Sequence, residues 1–394
     1  MLLRHRGLPL VTVALLSCAV ACGSLAGDGD RLDDEVVAGL RAQVEAVAER
    51  RAGGAVAWVD TPAEQLTFAA GDADVAGERE LTVDDAFHIA SVTKMFTSTV
   101  ALQLVEEGEL DLDTPVADLV PEQMAGFDHG DDVTLRHLLS HASGLPEYVT
   151  NPRFAADHAA LATVEDGTPV AVLEAGCEPM DGLGYAAERR ASFEPGGSGE
   201  YTDTNYVLAG RVIEAVTGQA LAAVVAERVL EPLQLDGTWM PCAQEPRGDL
   251  ARGYDYAALG QFTDLEAEIL DVTALQQPIV SGATGLVSTG EDLVTFARAL
   301  FAGGLFDDEA TLPTMLEPGP LGAGTDDQYG LGVGLEGEVM GHDGAIAGYT
   351  SYLRYHEPDD TVVVVLSNAL PDGPPAAATA GSAMLDLLAT ERSR

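Results

Sequence analysis

The sequence predicts an α+β protein whose antiparallel sheet is built from both ends of the chain and flanked by helices, with a largely helical second lobe between. Three observations carry this. Strand-like segments stand near the start, at 55–60 and 65–70, and return only late, at 338–341, 350–356 and the β-branched run 361–366. The stretch 111–280 reads mainly as helix and long loop. A chain of 394 residues, 46% hydrophobic, is long enough for a large buried core, arranged as one large or two interlocked lobes.

In chain order, Val36, Val37, Leu40, Val44 and Val47 are spaced as one face of a helix, with Gly53-Gly54 a few residues beyond its end. Residues 55–60 and 65–70 flank Thr61-Pro62-Ala63-Glu64 as a hairpin, and 71–80 reads as a loop. The apolar residues Met95, Val100, Leu102, Leu104 and Val105 carry a mostly buried helix to Gly108. Helical pattern is plainest again at 134–140 and 205–216, 181–199 is loop-rich, and 376–389 closes the chain as a helix. The expected lobes are an α/β lobe of about 35–90 and 280–394 and a helical lobe of about 91–279. A cleft between lobes is where a site would sit.

Formal charge is −44, which speaks against nucleic acid, whose phosphates need basic patches, and against attraction to anionic lipid. Residues 1–21 read as an export signal: Arg4 and Arg6, then an apolar run ending Ala19-Val20-Ala21. Cleavage before Cys22 fits an ordinary signal site and also a lipobox, so lipidation of Cys22, and with it a membrane tether, stays open beside secretion. Residues 22–34, rich in Gly and Asp, read as a flexible tether to a single folded domain spanning 35–394. With Cys18 removed and Cys22 at the mature N-terminus, Cys177 and Cys242 are the pair left to form a disulfide in an oxidising exterior. No cysteine has the neighbourhood of a zinc site, so neither metal nor cofactor is expected, and the chain is read as a monomer.

Ser91-Val92-Thr93-Lys94 places a hydroxyl one helical turn before an amine that could take its proton. Such a pattern is common by chance, but 19 of the 20 basic residues are Arg and Lys94 is the only lysine. Arginine is never deprotonated in a protein, whereas a buried lysine can be. A serine entering a helix also sets its backbone N–H near the positive end of the dipole, where an oxyanion is stabilised.

Further on stand Tyr201-Thr202-Asp203 and Gly341-His342-Asp343-Gly344-Ala345. With these the chain resembles the serine β-lactamase and DD-peptidase family, whose S-x-x-K, Y-x-N and K-T-G or H-x-G elements occur in this order. Supporting stretches at 135–146, 285–289 and 329–332 extend the resemblance over roughly 55–388.

The resemblance implies a β-lactamase/transpeptidase-like fold and an acyl-enzyme on Ser91, with proton work shared by Lys94 and Tyr201 and His342 in the third-motif position. It also implies an oxyanion hole from the backbone N–H groups of Ser91 and Ala345, and substrate contacts from Asp203, Gly344 and Thr350. Free lysine has a pKa of ~10.4, so only about one amine in 2,500 is a usable base at neutral pH. Burial must lower that pKa for Lys94 to serve as base, and otherwise Tyr201 must take the role. Asp203, standing where the family usually has Asn, favours an ammonium and so shifts the base role toward Tyr201.

The expected activity is that of an exported hydrolase of an amide or ester, with a D-alanyl-D-alanine carboxypeptidase as the first choice. A small-ester esterase, a β-lactamase and a non-catalytic binding domain are the alternatives. Between Arg298 and Arg354 there is no Arg or Lys, so a substrate carboxylate would rely on His342, on the hydroxyls of Thr350 and Ser351, or on Arg252 or Arg354.

Overall fold

The computed structural model describes residues 31–49, 53–161, 163–165, 170–255, 269–325, 327–370 and 374–392. The expected signal at 1–21, Cys22 and most of the expected tether lie outside these residues. Leu32–Arg394 forms one compact unit. Its first helix, α1, spans Asp34–Ala48.

Strands β1 (Gly54–Asp60) and β2 (Gln65–Asp74) form the expected hairpin, in register from Asp60↔Gln65 to Gly54↔Gly71 and closed by Thr61 N–H donating to Glu64 O at 3.0 Å. Helix α2 (Thr93–Glu106) follows, then α3 (Asp203–Thr217) and α4 (Gly290–Phe301). Strands β3 (Val339–Ile346), β4 (Tyr349–His356) and β5 (Thr361–Ser367) precede the closing helix α5 (Ala376–Arg392). Eight strands form the main sheet in the order Asp327–Tyr329, Gly334–Glu336, β3, β4, β5, β1, β2, Arg79–Glu80, all antiparallel. Within this sheet the strand that comes first in the chain thus lies beside the one that comes last.

Alternation along the central strands splits the core in two. Val56 and Trp58 of β1 and Val362, Val364 and Leu366 of β5 face the large core that includes α2, α3 and α4. Ala55, Ala57 and Val59 with Val363 and Val365 face a smaller core against α1 and α5. Burial of both faces is why 362–366 is continuously apolar rather than alternating with polar residues.

The middle of the chain departs from expectation. Thr163–Glu165, Val170–Glu174, Tyr254–Asp255 and Ile269–Asp271 join Ala369–Leu370 in a second, five-stranded sheet with two parallel pairs. These strands are two to five residues long, too short for a period-2 pattern to register in sequence. The loop expected at 71–80 is partly strand, because β2 runs on to Asp74 and pairs through an irregular register with Arg79–Glu80. Cys177 and Cys242 form a disulfide. Closing a loop of this length removes about 4 kcal/mol of unfolded-chain entropy in the loop-closure account.

Candidate active site

The site is built on the turn Ala90–Val92 that leads into α2. Just before it, Phe87 and His88 pair with Ser288 and Val287, and Ile89 N–H donates to Leu286 O at 3.0 Å. From the other side the Ser351 hydroxyl donates to Ile89 O at 2.7 Å. Ala90 is held at φ +47°, a left-handed conformation that a residue with a Cβ keeps only when its surroundings enforce it. A Cβ on Gly344 would stand 2.8 Å from both Ala90 Cβ and Ile89 O, so β3 runs directly along this turn. That contact brings the Gly344-Ala345 backbone against Ser91.

Helix α2 carries Lys94 on an almost wholly buried cylinder, from Thr93 through Leu102. Lys94 is 0% exposed, and its Nζ has three partners: Ser91 Oγ at 2.9 Å, Asp203 Oδ1 at 2.6 Å and Ala283 O at 3.0 Å. Two of these, the carboxylate and the carbonyl, can only accept. A neutral amine would give them its two N–H bonds and turn its lone pair to the Ser91 hydroxyl, and an ammonium would donate to all three. The arrangement therefore accommodates both ends of a proton transfer along the Ser91–Lys94 line.

Asp203 is the first residue of α3, whose N-cap is Thr202, its hydroxyl accepting from Thr204 N–H at 3.2 Å. The Asp203 N–H is taken by Glu147 Oε2 at 2.6 Å. Burial, then the charge of Asp203, raises the Glu147 carboxyl above its ordinary range. Tyr201, two residues earlier, is 38% exposed as a residue, its hydroxyl interacts with Ser91, and its ring stands 5.0 Å from Lys94 Nζ. Burial first, and the negative charge of Asp203 second, push the phenol well above 10. Tyr201 is thus a neutral phenol near neutral pH, able to relay a proton but not to start as a phenolate base.

His342 is 6% exposed on the side of β3 that faces the large core, opposite Leu353. Its Nδ1 faces Asp343 O at 2.5 Å and its Nε2 faces Tyr329 Oη at 2.9 Å. A carbonyl only accepts, so the assigned tautomer has the proton on Nδ1 and Tyr329 donating to Nε2. Burial, reinforced by the Lys94 charge, lowers the imidazole to about 4. His342 is uncharged near neutral pH and offers a substrate carboxylate no cation.

Other expected contacts are also revised. Thr350 is fully buried on the opposite face of the sheet, where its Oγ1 accepts from Ala377 N–H of α5 at 3.1 Å, so it is structural and not a substrate ligand. Gly344 serves clearance, since a Cβ there would also meet Ser351 Oγ at 2.6 Å. Ser351 is spent on Ile89. Asp203 is the charge partner of Lys94. Arg354 lies over the Tyr352 ring at 4.9 Å and donates to Asp343 at 3.0 Å, while Arg252 donates to Asp271 at 2.6 Å. Among the described residues no three His, Cys, Asp or Glu side chains gather as a metal site. The sequence reading missed Ala283, Tyr329, Glu147 and His141. Tyr329 and His141 fall within stretches that it singled out as supporting, but nothing in those stretches gave their direction.

The family model described as Beta-lactamase matches residues 34–387. The chain belongs to the beta-lactamase family. Its relatives are serine hydrolases. Penicillin-binding protein 4 of Amycolatopsis lactamdurans is 30% identical over 306 residues, covering 73% of each chain. Lovastatin esterase of Penicillium rubens is 28% identical, covering 67% of this chain and 72% of its own. Among solved structures, a D-stereospecific amidohydrolase from a Streptomyces species superposes with a TM-score of 0.69 at 30% identity, over 84% of this chain and 94% of that one. The D-amino acid amidase of Ochrobactrum anthropi complexed with L-phenylalanine amide superposes with a TM-score of 0.74 at 25% identity, over 91% and 99%. Beta-lactamase family members thus include peptidase-like, esterase and amidase relatives of this chain.

Proposed function

We propose that this chain is an exported serine hydrolase that forms an acyl-enzyme on Ser91 and prefers esters or amides with no carboxylate beside the scissile bond. The observation that carries the reading is the Ser91–Lys94–Asp203 line, a nucleophile and its proton acceptor at 2.9 Å with a carboxylate at 2.6 Å behind. In the form with Lys94 as the neutral amine, Ser91 Oγ bonds to the carbonyl carbon as its proton passes to Lys94 Nζ, and the ammonium formed is held by Asp203 and Ala283 O. The backbone N–H groups of Ser91 and Ala345 receive the oxyanion, and loss of one such donor typically costs about 10²–10³ in rate. Collapse breaks the bond to the leaving group, which takes the Tyr201 hydroxyl proton while Tyr201 regains one from Lys94. Water then repeats the sequence on the acyl-enzyme and frees Ser91.

The substrate reading rests on charge. A carboxylate is normally read by Arg or a cluster of donors. Here the imidazole at the third motif is neutral, Arg354 and Arg252 are ion-paired, and Lys94 is already matched by Asp203. The esterase and amidase relatives are consistent with such a preference. D-alanyl-D-alanine peptides would be slower substrates by roughly tenfold or more in kcat/KM, the equivalent of one missing charge-assisted contact. Penicillins would acylate with little turnover. The apolar run at residues 1–21 supports export. A side-by-side panel of an activated ester, a D-amino acid amide, a D-alanyl-D-alanine peptide and a penicillin tests the substrate reading. Peptide cleavage as fast as the ester would refute it, and rapid penicillin turnover would make this a β-lactamase.

A further inference from the structure

His141, to which the sequence reading gave no role, is fully buried behind Tyr201 with its backbone at φ +55°. Its carbonyl accepts from Glu200 N–H at 2.9 Å and its ring Nδ1 accepts from Thr202 N–H at 3.2 Å, so the residues on either side of Tyr201 are both tied to it. The imidazole also lies against the Tyr201 ring, with centroids 4.2 Å apart and planes 34° from parallel. Tyr206 and Tyr329 hold the other sides at 5.3 and 4.9 Å. Asn205 Nδ2 sits 3.2 Å from the same Nδ1, and its Oδ1 accepts from the Ser143 hydroxyl at 2.6 Å, which fixes the amide. Acceptance by Nδ1 leaves the ring proton on Nε2, which has no partner among the described residues. Burial, with the charges of Lys94 and His342, keeps the imidazole well below its ordinary value, hence neutral and able to accept. The fold tolerates an unpaired buried donor and a left-handed backbone at this one residue, and both are conditions of its grip on residues 200–202.

We infer that His141 is a positioning residue for Tyr201, fixing the phenol's place beside Ser91 through Nδ1 and ring contact. The inference rests on the reading that Tyr201 carries the leaving-group proton. Without the Nδ1 acceptor the Thr202 N–H is orphaned and the segment can shift, and a displacement of about 1 Å at a reacting group costs on the order of 10²-fold in rate.

The test uses two amide substitutions. In His141→Asn the side-chain oxygen stands where Nδ1 stands, and asparagine accepts the left-handed backbone. In His141→Gln the amide reaches toward the Nε2 position and the Nδ1 acceptor is lost. Steady-state hydrolysis of an activated aryl ester and a thermal melt are measured for each, beside Tyr201→Phe and the Tyr201→Phe/His141→Gln double variant. His141→Gln should lose tenfold or more in kcat with KM within about threefold of wild type, and His141→Asn should recover to within about threefold in kcat. The double variant should be no slower than Tyr201→Phe alone, because the two act as a unit. Equal impairment of the two amide variants, or a multiplicative loss in the double variant, would overturn the inference. If Tyr201→Phe is crippled while His141→Gln is unimpaired, only this inference fails. If Tyr201→Phe keeps full activity, the reading of Tyr201 fails and takes the inference with it.

Discussion

Replacing Gly344 by alanine adds one methyl group where β3 crosses the turn that carries the nucleophile. The new Cβ would stand 2.6 Å from Ser351 Oγ and 2.8 Å from Ala90 Cβ and Ile89 O, where ordinary contact begins at about 3.4 Å. Relief therefore needs a separation of about 0.6–0.8 Å between strand and turn. Two of the three atoms belong to the Ile89-Ala90 backbone and its methyl, and the third is the hydroxyl that holds Ile89 O, so no flexible side chain can absorb the movement. Overpacking of this kind costs typically about 1–3 kcal/mol of stability. The larger effect should fall on rate, because the displaced parts are Ser91 and the neighbouring Ala345 backbone, and misplacement by about 1 Å costs on the order of 10²-fold. Gly344→Ala is expected to remain folded in a thermal melt while its acylation rate with a fluorophosphonate, and its kcat/KM on an activated ester, fall by tens of fold. Wild-type acylation in a folded Gly344→Ala protein would refute the close-approach argument.

Thr350→Val should lower stability by about 1–3 kcal/mol, because it orphans the buried Ala377 N–H, and should leave kcat/KM within about twofold. A large loss of activity in the folded variant would return Thr350 to the substrate site. For pH, His342 is depressed from 6.5 to about 4 in the fold and His88 to about 3, in both cases by burial. The unfolded chain therefore binds protons first, so their contribution to stability is present above about 6.5 and is lost as pH falls, through about 4 for His342 and about 3 for His88. Chemical denaturation between pH 7 and 4 should show this fall, with a shallower slope in His342→Asn, and an unchanged slope would show that His342 titrates normally.

Legibility in the sequence followed length and periodicity. The α1 and α3 spacings, the hairpin at Thr61–Glu64 and the run 361–366 were readable because each repeats a pattern over several turns or pleats. The second sheet was not, since its strands are short and two of its pairs are parallel and distant in sequence. At the site, the sole lysine three residues after Ser91 pointed to the right helix, and Asp203 lies beside it as its position in the second motif suggested. Direction was hidden. Thr350 and Gly344 stand in one strand pair, yet alternation sends Thr350 to α5 and presses Gly344 on Ala90. The neutrality of His342 comes from burial that no local pattern records, and burial also lifts the Tyr201 phenol further above its ordinary value.

The most direct test of the account is intact-mass and peptide mapping of the protein after reaction with a fluorophosphonate, for wild type and Ser91→Ala in parallel. One adduct per chain, on the peptide that carries Ser91, with adduct and ester hydrolysis both lost in Ser91→Ala, is the expected result. Labelling of a different residue, or hydrolysis that survives in Ser91→Ala, would contradict it.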